Sequence, residues 1–106
     1  MNKLGVIVPH NKDIDSEFKK VADYGFSTCQ VAMWNPEDRT DEMAEKYMAA
    51  MKKYGVEITC MYITWDHPCV FDFYSGPYTV GLVPETYRAD RIKNVLTCSN
   101  LQKSWA

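Results

Sequence analysis

Length, composition and charge narrow the class of this protein before any motif is considered. The chain has 106 residues, of which 46% are hydrophobic and 25% are charged, which is the balance of a soluble globular protein. A chain of this length forms one domain, residues 1–106, and hides roughly two thirds of its unfolded surface. Its formal net charge of −2 offers no basic surface to phosphate backbones or anionic membranes, so we expect neither nucleic acid nor a membrane as a partner.

The N-terminal segment and the cysteines indicate a reducing compartment. The apolar run in "MNKLGVIVPH" is shorter than the apolar region of a signal peptide, and no small-residue cleavage site follows it. The cysteines Cys29, Cys60, Cys69 and Cys98 form no CxxC pair, which is typical of neither a zinc cluster nor a disulfide scaffold. We therefore predict a cytoplasmic protein in which Cys29 and Cys60 are small apolar residues inside strands.

Predicted strands and helices alternate along the chain. The pattern predicts strands at 3–8, 28–34 and 57–65, and helices that begin near residues 14, 40 and 84. Asp or Thr can cap the first two helices at their start, and Gly25 and Gly55 stand where these helices end. The order of elements is strand, helix, strand, helix, strand, long loop and helix.

A repeated phrase gives this alternation a structural meaning. "YGFSTCQVAMW" ends at Trp34, and "YGVEITCMYITW" ends at Trp65, about thirty residues later. Each phrase reads as a helix end, a two-residue link and a buried strand. Repetition at the length of one βα unit predicts an α/β fold with parallel strands and right-handed crossovers.

The lengths of the connections indicate where a ligand binds. Helix-to-strand links have about two residues, whereas strand-to-helix links have about five, five and then eighteen residues, the last from Asp66 to Val83. Long loops at the carboxyl ends of parallel strands are where α/β folds bind ligands. The aromatic, polar and glycine residues of the long loop suit a sugar ring, although the aromatic residues could equally serve only to attach the loop to the barrel end.

The same segments resemble a known family. "GVIVPH" as the first strand, "YGF" before the second, "YGVEITCMY" as the third and then "GPYTVGLVPETYRADRIKNVL" resemble the xylose isomerase-like TIM barrels, the sugar phosphate isomerases and epimerases. The resemblance extends from about Lys3 to Leu96. It implies a partial (β/α)8 barrel, of which this chain is the first three βα units, since a complete barrel takes about 250 residues. We therefore expect a truncated, N-terminal portion of a barrel, whose tail "TCSNLQKSWA" stops where a fourth strand is due.

The resemblance also implies a cofactor. Enzymes of this kind hold a divalent metal of the Mn, Mg, Zn or Co type near the ends of later strands, where it polarises a sugar oxygen while carboxylates move a proton. None of those ligands can be assigned to residues 1–106, so we predict no metal ligand, no catalytic residue and no tight metal binding for this chain.

Five residues are candidates for substrate binding, and each has an alternative role. They lie at the predicted strand ends or in the long loop, and are His10, Trp34, Trp65, His67 and Phe71. Each Trp could stack on a sugar ring or close the barrel mouth. His67, next to Asp66, could contact a substrate or a metal or be an ordinary loop residue, and His10 is expected to face the same rim.

Two arginines near the third helix are open to two interpretations. Arg88 and Arg91 could attract a phosphate at the helix N-terminus. The interpretation that we prefer is that they pair with Glu85 or Asp90 on a solvated face.

Two classes of function follow, with a third behind them. The first is a fragment of a metal-dependent sugar or sugar phosphate isomerase/epimerase that is inactive alone. The second is a small non-catalytic α/β module that self-associates through its exposed sheet. An abasic-site endonuclease on the same fold is disfavoured by the acidic charge.

Overall fold

Three parallel strands and the helices between them form the fold. The computed structural model describes residues 2–105. Its elements in chain order are β1 Gly5–Pro9, α1 Ile14–Asp23, β2 Thr28–Met33, a 3₁₀ turn Pro36–Asp38, α2 Asp41–Tyr54, β3 Glu57–Ile63, α3 Gly76–Thr79 and α4 Glu85–Lys103. The strands form one sheet in the order β1-β2-β3, and both pairs are parallel. The predicted α/β fold with parallel strands is confirmed.

The helices begin and end at the residues that the sequence indicates. The side chain of Asp13 accepts a hydrogen bond from the backbone N–H of Ser16 at the start of α1, and Thr40 does the same for Met43 at the start of α2. Such caps satisfy amide groups that have no partner within the helix. Gly55 ends α2 at φ +64°, a left-handed conformation that costs glycine little.

One side of the sheet packs against the helices. Alternate residues of each strand point to this side because successive strand side chains point to opposite faces. They meet the apolar stripes of α1 and α2, and the buried cluster contains Val8, Phe18, Val21, Cys29, Val31, Met33, Ala44, Tyr47, Ala50, Val56 and Ile58. The core therefore lies between the sheet and its helix layer, and Cys29 is a small buried residue within it, as predicted.

The opposite side of the sheet is open. Ile7 is 66% exposed and Tyr62 is 48% exposed, and Gln30 and Cys60 are exposed beside them. A register shift in β3 opposite Cys29 and Gln30 makes Thr59 the extra residue, so Cys60 pairs with Gln30 on the open side. The expectation that β3 is a buried strand is therefore wrong for this side of the sheet, and Cys60 lies inside β3 as predicted but is exposed.

Helix α4 includes most of the C-terminal tail and buries an arginine on its inner side. It runs to Lys103, so most of the tail "TCSNLQKSWA" is helical, and only Ala106 of this tail lies outside the described residues. Arg91, Cys98 and Leu101 are buried on its inner side, whereas Ile92, Val95 and Leu96 are exposed on its outer side. Trp105 follows the helix and joins the core. Within residues 2–105, no helix has both the length and the apolar character needed to cross a bilayer.

Candidate functional site

A cleft lies at the carboxyl ends of β2 and β3, beside the first residues of the long loop. Its volume is about 440 Å³. The lining residues are mostly aromatic, and comprise Trp34, Tyr62, Ile63, Thr64, Trp65, His67, Cys69 and Phe71. The structure thus brings together four of the five predicted site residues, namely Trp34, Trp65, His67 and Phe71. Their role in substrate binding stays a prediction.

Two aromatic rings form the wall on the sheet side of the cleft. Trp34 follows the last residue of β2, and Tyr62 belongs to β3. Their ring centroids are 5.3 Å apart and their planes are inclined at 71°, an edge-to-face arrangement. The hydroxyl of Thr64 donates to the backbone carbonyl of Trp34 and ties the two strand ends together. Because both rings are about half exposed, each presents an apolar surface to a ligand.

His67 stands at the other side of the cleft and is held by α4. Its Nε2 lies 2.8 Å from Oδ2 of Asp90, and its ring stacks on Tyr87 with centroids 4.6 Å apart. A carboxylate bound to one ring nitrogen fixes the orientation of the imidazole and leaves the other nitrogen for a ligand. Asp66 precedes His67 in the sequence, but the carboxylate that orients the imidazole is Asp90, twenty-three residues after His67.

The long loop is ordered by its own hydrogen bonds. The carboxylate of Asp72 accepts hydrogen bonds from the backbone amides of Tyr74 and Ser75. The bond from Ser75 has the largest effect, and together these bonds hold the pKa of Asp72 below its ordinary value. The short helix α3 lies within this segment, so the segment predicted as one long loop is partly helical. Phe71 is 77% exposed and Phe73 is 98% exposed, so the loop presents aromatic rings to solvent beside the cleft.

The two arginines of α4 bind carbonyl groups of the loop, and within residues 2–105 neither pairs with a carboxylate. Arg91 is 1% exposed and donates to the backbone carbonyls of Gly81 and Pro68. Arg88 donates to the carbonyls of Leu82 and Val83. The preferred pairing with Glu85 or Asp90 is therefore wrong for both arginines, and the expected solvated position is wrong for Arg91 but holds for Arg88. The carbonyls left free by an irregular loop supply acceptors that a sequence pattern does not show.

Trp65 lies between this arginine and the cleft. The guanidinium carbon of Arg91 is 5.4 Å from the centroid of the Trp65 ring, within the range of a cation–π interaction. Trp65 is half-buried, so it forms part of the cleft wall and offers a ligand less surface than Trp34 does.

His10 is turned away from the cleft. Its side chain is only 6% exposed, its Nδ1 lies 2.6 Å from the hydroxyl of Tyr47, and its Nε2 lies 3.6 Å from Asp38. Burial raises the pKa of Tyr47, which keeps this phenol neutral. The expectation that His10 faces the rim is wrong, because α2 offers the imidazole a buried hydroxyl on the helix side of the sheet.

Arg39 is a residue of this region that sequence reasoning missed. It lies in the polar segment "NPEDR" that follows β2, yet only 9% of its surface is exposed. Its Nη2 lies 3.2 Å from the carbonyl of Met33 and 3.3 Å from that of Thr64, and its Nη1 donates to Asn94 of α4. Arg39 thus joins the ends of β2 and β3 to α4 behind the cleft. A single arginine in a turn gives no sequence signal of such burial.

The described residues do not fit the divalent metal that the resemblance implies. Within 2–105, no group of three or more His, Cys, Asp or Glu side chains is placed to hold a metal ion. His67 and Asp90 meet each other, and a third ligand is not brought to them. No metal-dependent step can therefore be assigned to these side chains.

Comparison with known proteins supports the fold. Neither the protein-family models nor the curated protein sequences give a match to this chain. Among solved structures, the crystal structure of a xylose isomerase domain protein from Planctomyces limnophilus is similar, with a TM-score of 0.80 and 25% sequence identity. The similarity covers 96% of this chain and 36% of that chain, so this chain spans about a third of the length of its neighbour. The chain has a xylose isomerase-like fold, and its three parallel βα units match the first units of a TIM barrel.

Proposed function

We propose that this chain supplies the first part of a sugar isomerase or epimerase barrel and that its aromatic cleft binds the sugar ring. The observation that carries the proposal is the half-exposed, edge-to-face pair of Trp34 and Tyr62 at the carboxyl ends of parallel strands. A pyranose or furanose ring has apolar C–H faces, which pack on aromatic rings. The chain has a xylose isomerase-like fold, and TIM barrels bind their substrates at the carboxyl ends of the strands, which supports this assignment of the cleft.

The polar groups of the cleft complement the hydroxyl rim of a sugar. With the Nε2–H of His67 donated to Asp90, its Nδ1 is left as a hydrogen-bond acceptor for a sugar hydroxyl. Phe71 and the residues that follow it in the loop would cover the bound ring and reduce its contact with water. Sugar phosphates are included in the proposal, since the cleft is open on one side.

The chemical step is not assigned to these residues. In the family that the sequence resembles, a divalent metal polarises the sugar oxygen next to the carbon that loses its proton. Because residues 2–105 show no suitable group of ligands, we propose that this chain alone binds sugar without converting it. This chain spans 36% of the solved neighbour. Turnover would require the part of a barrel that corresponds to the remaining 64% of that neighbour.

The indole N–H signals of the three tryptophans in a ¹H–¹⁵N NMR spectrum test the proposal. On titration with D-xylose or D-fructose, we expect the signals of Trp34 and Trp65 to shift. The signal of Trp105 should stay in place because this indole lies in the core. Assignments come from single Trp→Phe variants.

Two variants give the titration its control. Tyr62→Ala should weaken sugar binding about tenfold or more, because it removes half of the aromatic pair. Tyr24→Ala removes a tyrosine that is 81% exposed at the end of α1, remote from the cleft, and should leave binding unchanged. Equal shifts of all three indole signals, or none with any sugar tested, would contradict the proposal.

Self-association is a second candidate function, which a different observation favours. Leu4 and Ile7 are 80% and 66% exposed near the open side of the sheet, and α4 exposes Ile92, Val95 and Leu96 on its outer side. Apolar surface of this kind tends to be covered by another protein surface. Sedimentation velocity of the chain over a range of concentrations tests this, and a monomer at every concentration would exclude it.

A further inference from the structure

One side of α4 forms the rear support of the cleft. Tyr87, Asp90, Arg91 and Asn94 follow one another at spacings of three, one and three residues, which places them on one side of a helix. Asp90 binds His67, Tyr87 stacks on His67, and Asn94 accepts a hydrogen bond from Arg39. Arg91 is the most deeply buried of the four, with 1% of its surface exposed.

The guanidinium of Arg91 joins the two ends of the long loop. Its Nη1 lies 2.6 Å from the carbonyl oxygen of Gly81, and its Nη2 lies 3.1 Å from that of Pro68. These carbonyls belong to opposite ends of the segment that carries Phe71. The planar fork of an arginine can reach two such acceptors at once, which the single ammonium group of a lysine does less well.

The same guanidinium also contacts two aromatic rings. Its central carbon is 5.4 Å from the ring centroid of Trp65 and 5.1 Å from that of Tyr87. Trp65 lines the cleft directly, and Tyr87 supports the His67 ring by stacking. The guanidinium of Arg91 therefore contacts both ends of the long loop and the ring of Trp65 in one wall of the cleft. It also contacts Tyr87, which supports His67 in the opposite wall.

Burial of this cation is costly, which argues that its geometry has a use. A buried charge loses hydration, and replacing such a group with an apolar residue is often neutral or stabilising for the fold. Arg91 has no carboxylate within ion-pair distance among the described residues, and its Nε has no hydrogen-bond partner there. A residue such as Met would fill the same space without the free-energy cost of burying a charge.

We propose that Arg91 is the positioning residue of the sugar cleft. It fixes Trp65, His67 and the aromatic loop in their binding arrangement before the ligand arrives. This inference rests on the proposed function, since it concerns the same cleft. Such preorganisation raises affinity because the ordering of the loop does not have to be supplied at binding. Arg91 acts through these neighbours and needs no contact with the sugar itself.

Arg91→Met in the 106-residue chain tests the proposal, with Arg88→Met as the matched control. Arg88 is an exposed arginine on the same helix, and within residues 2–105 its hydrogen bonds go to the carbonyls of Leu82 and Val83. Chymotrypsin, which cleaves after aromatic residues, reports the loop through Phe71 and Phe73. For Arg91→Met we expect about tenfold faster loop cleavage and about tenfold weaker D-xylose binding. Arg88→Met should change each by less than about twofold, a small effect typical of an exposed contact.

Arg91→Lys separates positioning from mere support of the fold. The variant keeps the charge and much of the buried volume but not the fork, so its urea midpoint should approach that of the wild type. Loop cleavage and D-xylose affinity should remain impaired. If lysine restores all three quantities, or if Arg88→Met impairs the cleft as much as Arg91→Met, the proposal is overturned. Should Arg91→Met fail to fold, the Arg91→Lys comparison alone decides in the same way.

The two proposals can fail separately. If the wild-type chain binds none of the sugars, the proposed function is contradicted, while loop cleavage and the Trp65 indole signal still report whether Arg91 positions the cleft. If the wild type binds sugar and Arg91→Lys and Arg91→Met bind it equally well, only the role of Arg91 is refuted.

Discussion

The contribution of Trp105 to stability is a demanding prediction, because this residue stands at the very end of the described chain. Its ring centroid lies 5.4 Å from that of Tyr47 with planes inclined at 51°. It is 8% exposed and belongs to the buried cluster together with Leu101. Because the ring packs against Tyr47 in the core, its removal should destabilise the whole domain.

The size of the effect follows from two opposing contributions. An indole of this kind buries roughly 150–250 Å², which at about 25 cal/mol per Å² stabilises the fold by about 4–6 kcal/mol. The Nε1–H of Trp105 has no hydrogen-bond partner among the described residues, and such a buried donor costs about 1–3 kcal/mol. Trp105→Ala should therefore lower the free energy of unfolding by about 3 kcal/mol.

Urea denaturation followed by far-ultraviolet circular dichroism measures this loss. Trp105→Phe keeps an aromatic ring against Tyr47 and removes the unpartnered N–H, so its stability should lie within about 1 kcal/mol of the wild type. Leu96→Ala is the surface control, since Leu96 is 60% exposed on α4, and it should change stability by less than about 0.5 kcal/mol.

A loss below about 1 kcal/mol for Trp105→Ala would refute this reasoning, because it would lie under the whole range expected for a buried aromatic residue. An equal loss for Leu96→Ala would refute it as well, since it would show that the helix buries its other side. Either result would remove the end of α4 from the core.

Three further predictions concern acid stability, thiol reactivity and a helix end. Hydrogen bonding to Lys53 holds the pKa of Asp15 below its ordinary value of 3.8, so its contribution to stability is present above that pH and is lost as the pH falls towards the folded pKa. The Asp15→Asn variant should thus lose less stability than the wild type between about pH 5 and pH 2 in urea titrations. Burial raises the pKa of the Cys29 thiol to about 11, so iodoacetamide at about pH 8 should modify the exposed Cys60 in the native chain and spare Cys29, as peptide mass spectrometry would show. Gly55 ends α2 at φ +64°, and Gly55→Ala should destabilise the chain by about 1–2 kcal/mol in urea denaturation, because this conformation is strained for residues with a Cβ.

Each of these predictions has its own control. Asp23→Asn removes an exposed carboxylate for which a lysine partner lies within its own helix, and it serves as the control for the removal of one negative charge. Modification in urea should reach Cys29, and labelling of Cys29 at the same rate as Cys60 without urea would contradict its burial. Gly76→Ala introduces a Cβ with an ordinary 3.6 Å contact and no positive φ, so an equal cost at Gly76 and Gly55 would count against the backbone argument.

The regular elements were predictable from local patterns. Asp13, Thr40, Gly25 and Gly55 mark helix ends through hydrogen bonds and backbone angles that depend on neighbours in sequence. Parallel pairing followed from the repeated unit, because strands joined by a helix of this length return in the same direction. Most of the fold could therefore be predicted from interactions between residues that are close in sequence.

The environment of single side chains was less predictable, since it depends on residues distant in sequence. His10 faces the helix layer because Tyr47, thirty-seven positions later, offers it a hydroxyl. Cys60 is exposed because a register shift in β3 turns it to the open side. Arg91 is buried because the loop presents carbonyl groups to it, and periodicity treats arginine as a surface residue in every context.

The aromatic part of the cleft was predictable where the backbone itself brings residues together. Trp34 and Trp65 follow neighbouring parallel strands, so they had to reach the same edge of the sheet. The partners Tyr62 and Asp90 were not anticipated. Regular alternation of side chains along β3 would put Tyr62 on the same face as residues of the core, so its exposure was not expected. Asp90 reaches His67 only because α4 packs behind the loop.

The two short links that join a helix to the next strand, at Gly25 and Gly55, bear on which parts of such a protein can vary in sequence. Gly25 and Gly55 direct the chain into β2 and β3 from the end of the sheet opposite the cleft. The links that lead into the strands thus lie at one end of the sheet and the cleft loops lie at the other, so the cleft loops can change in length or sequence while the strands keep their entry angles.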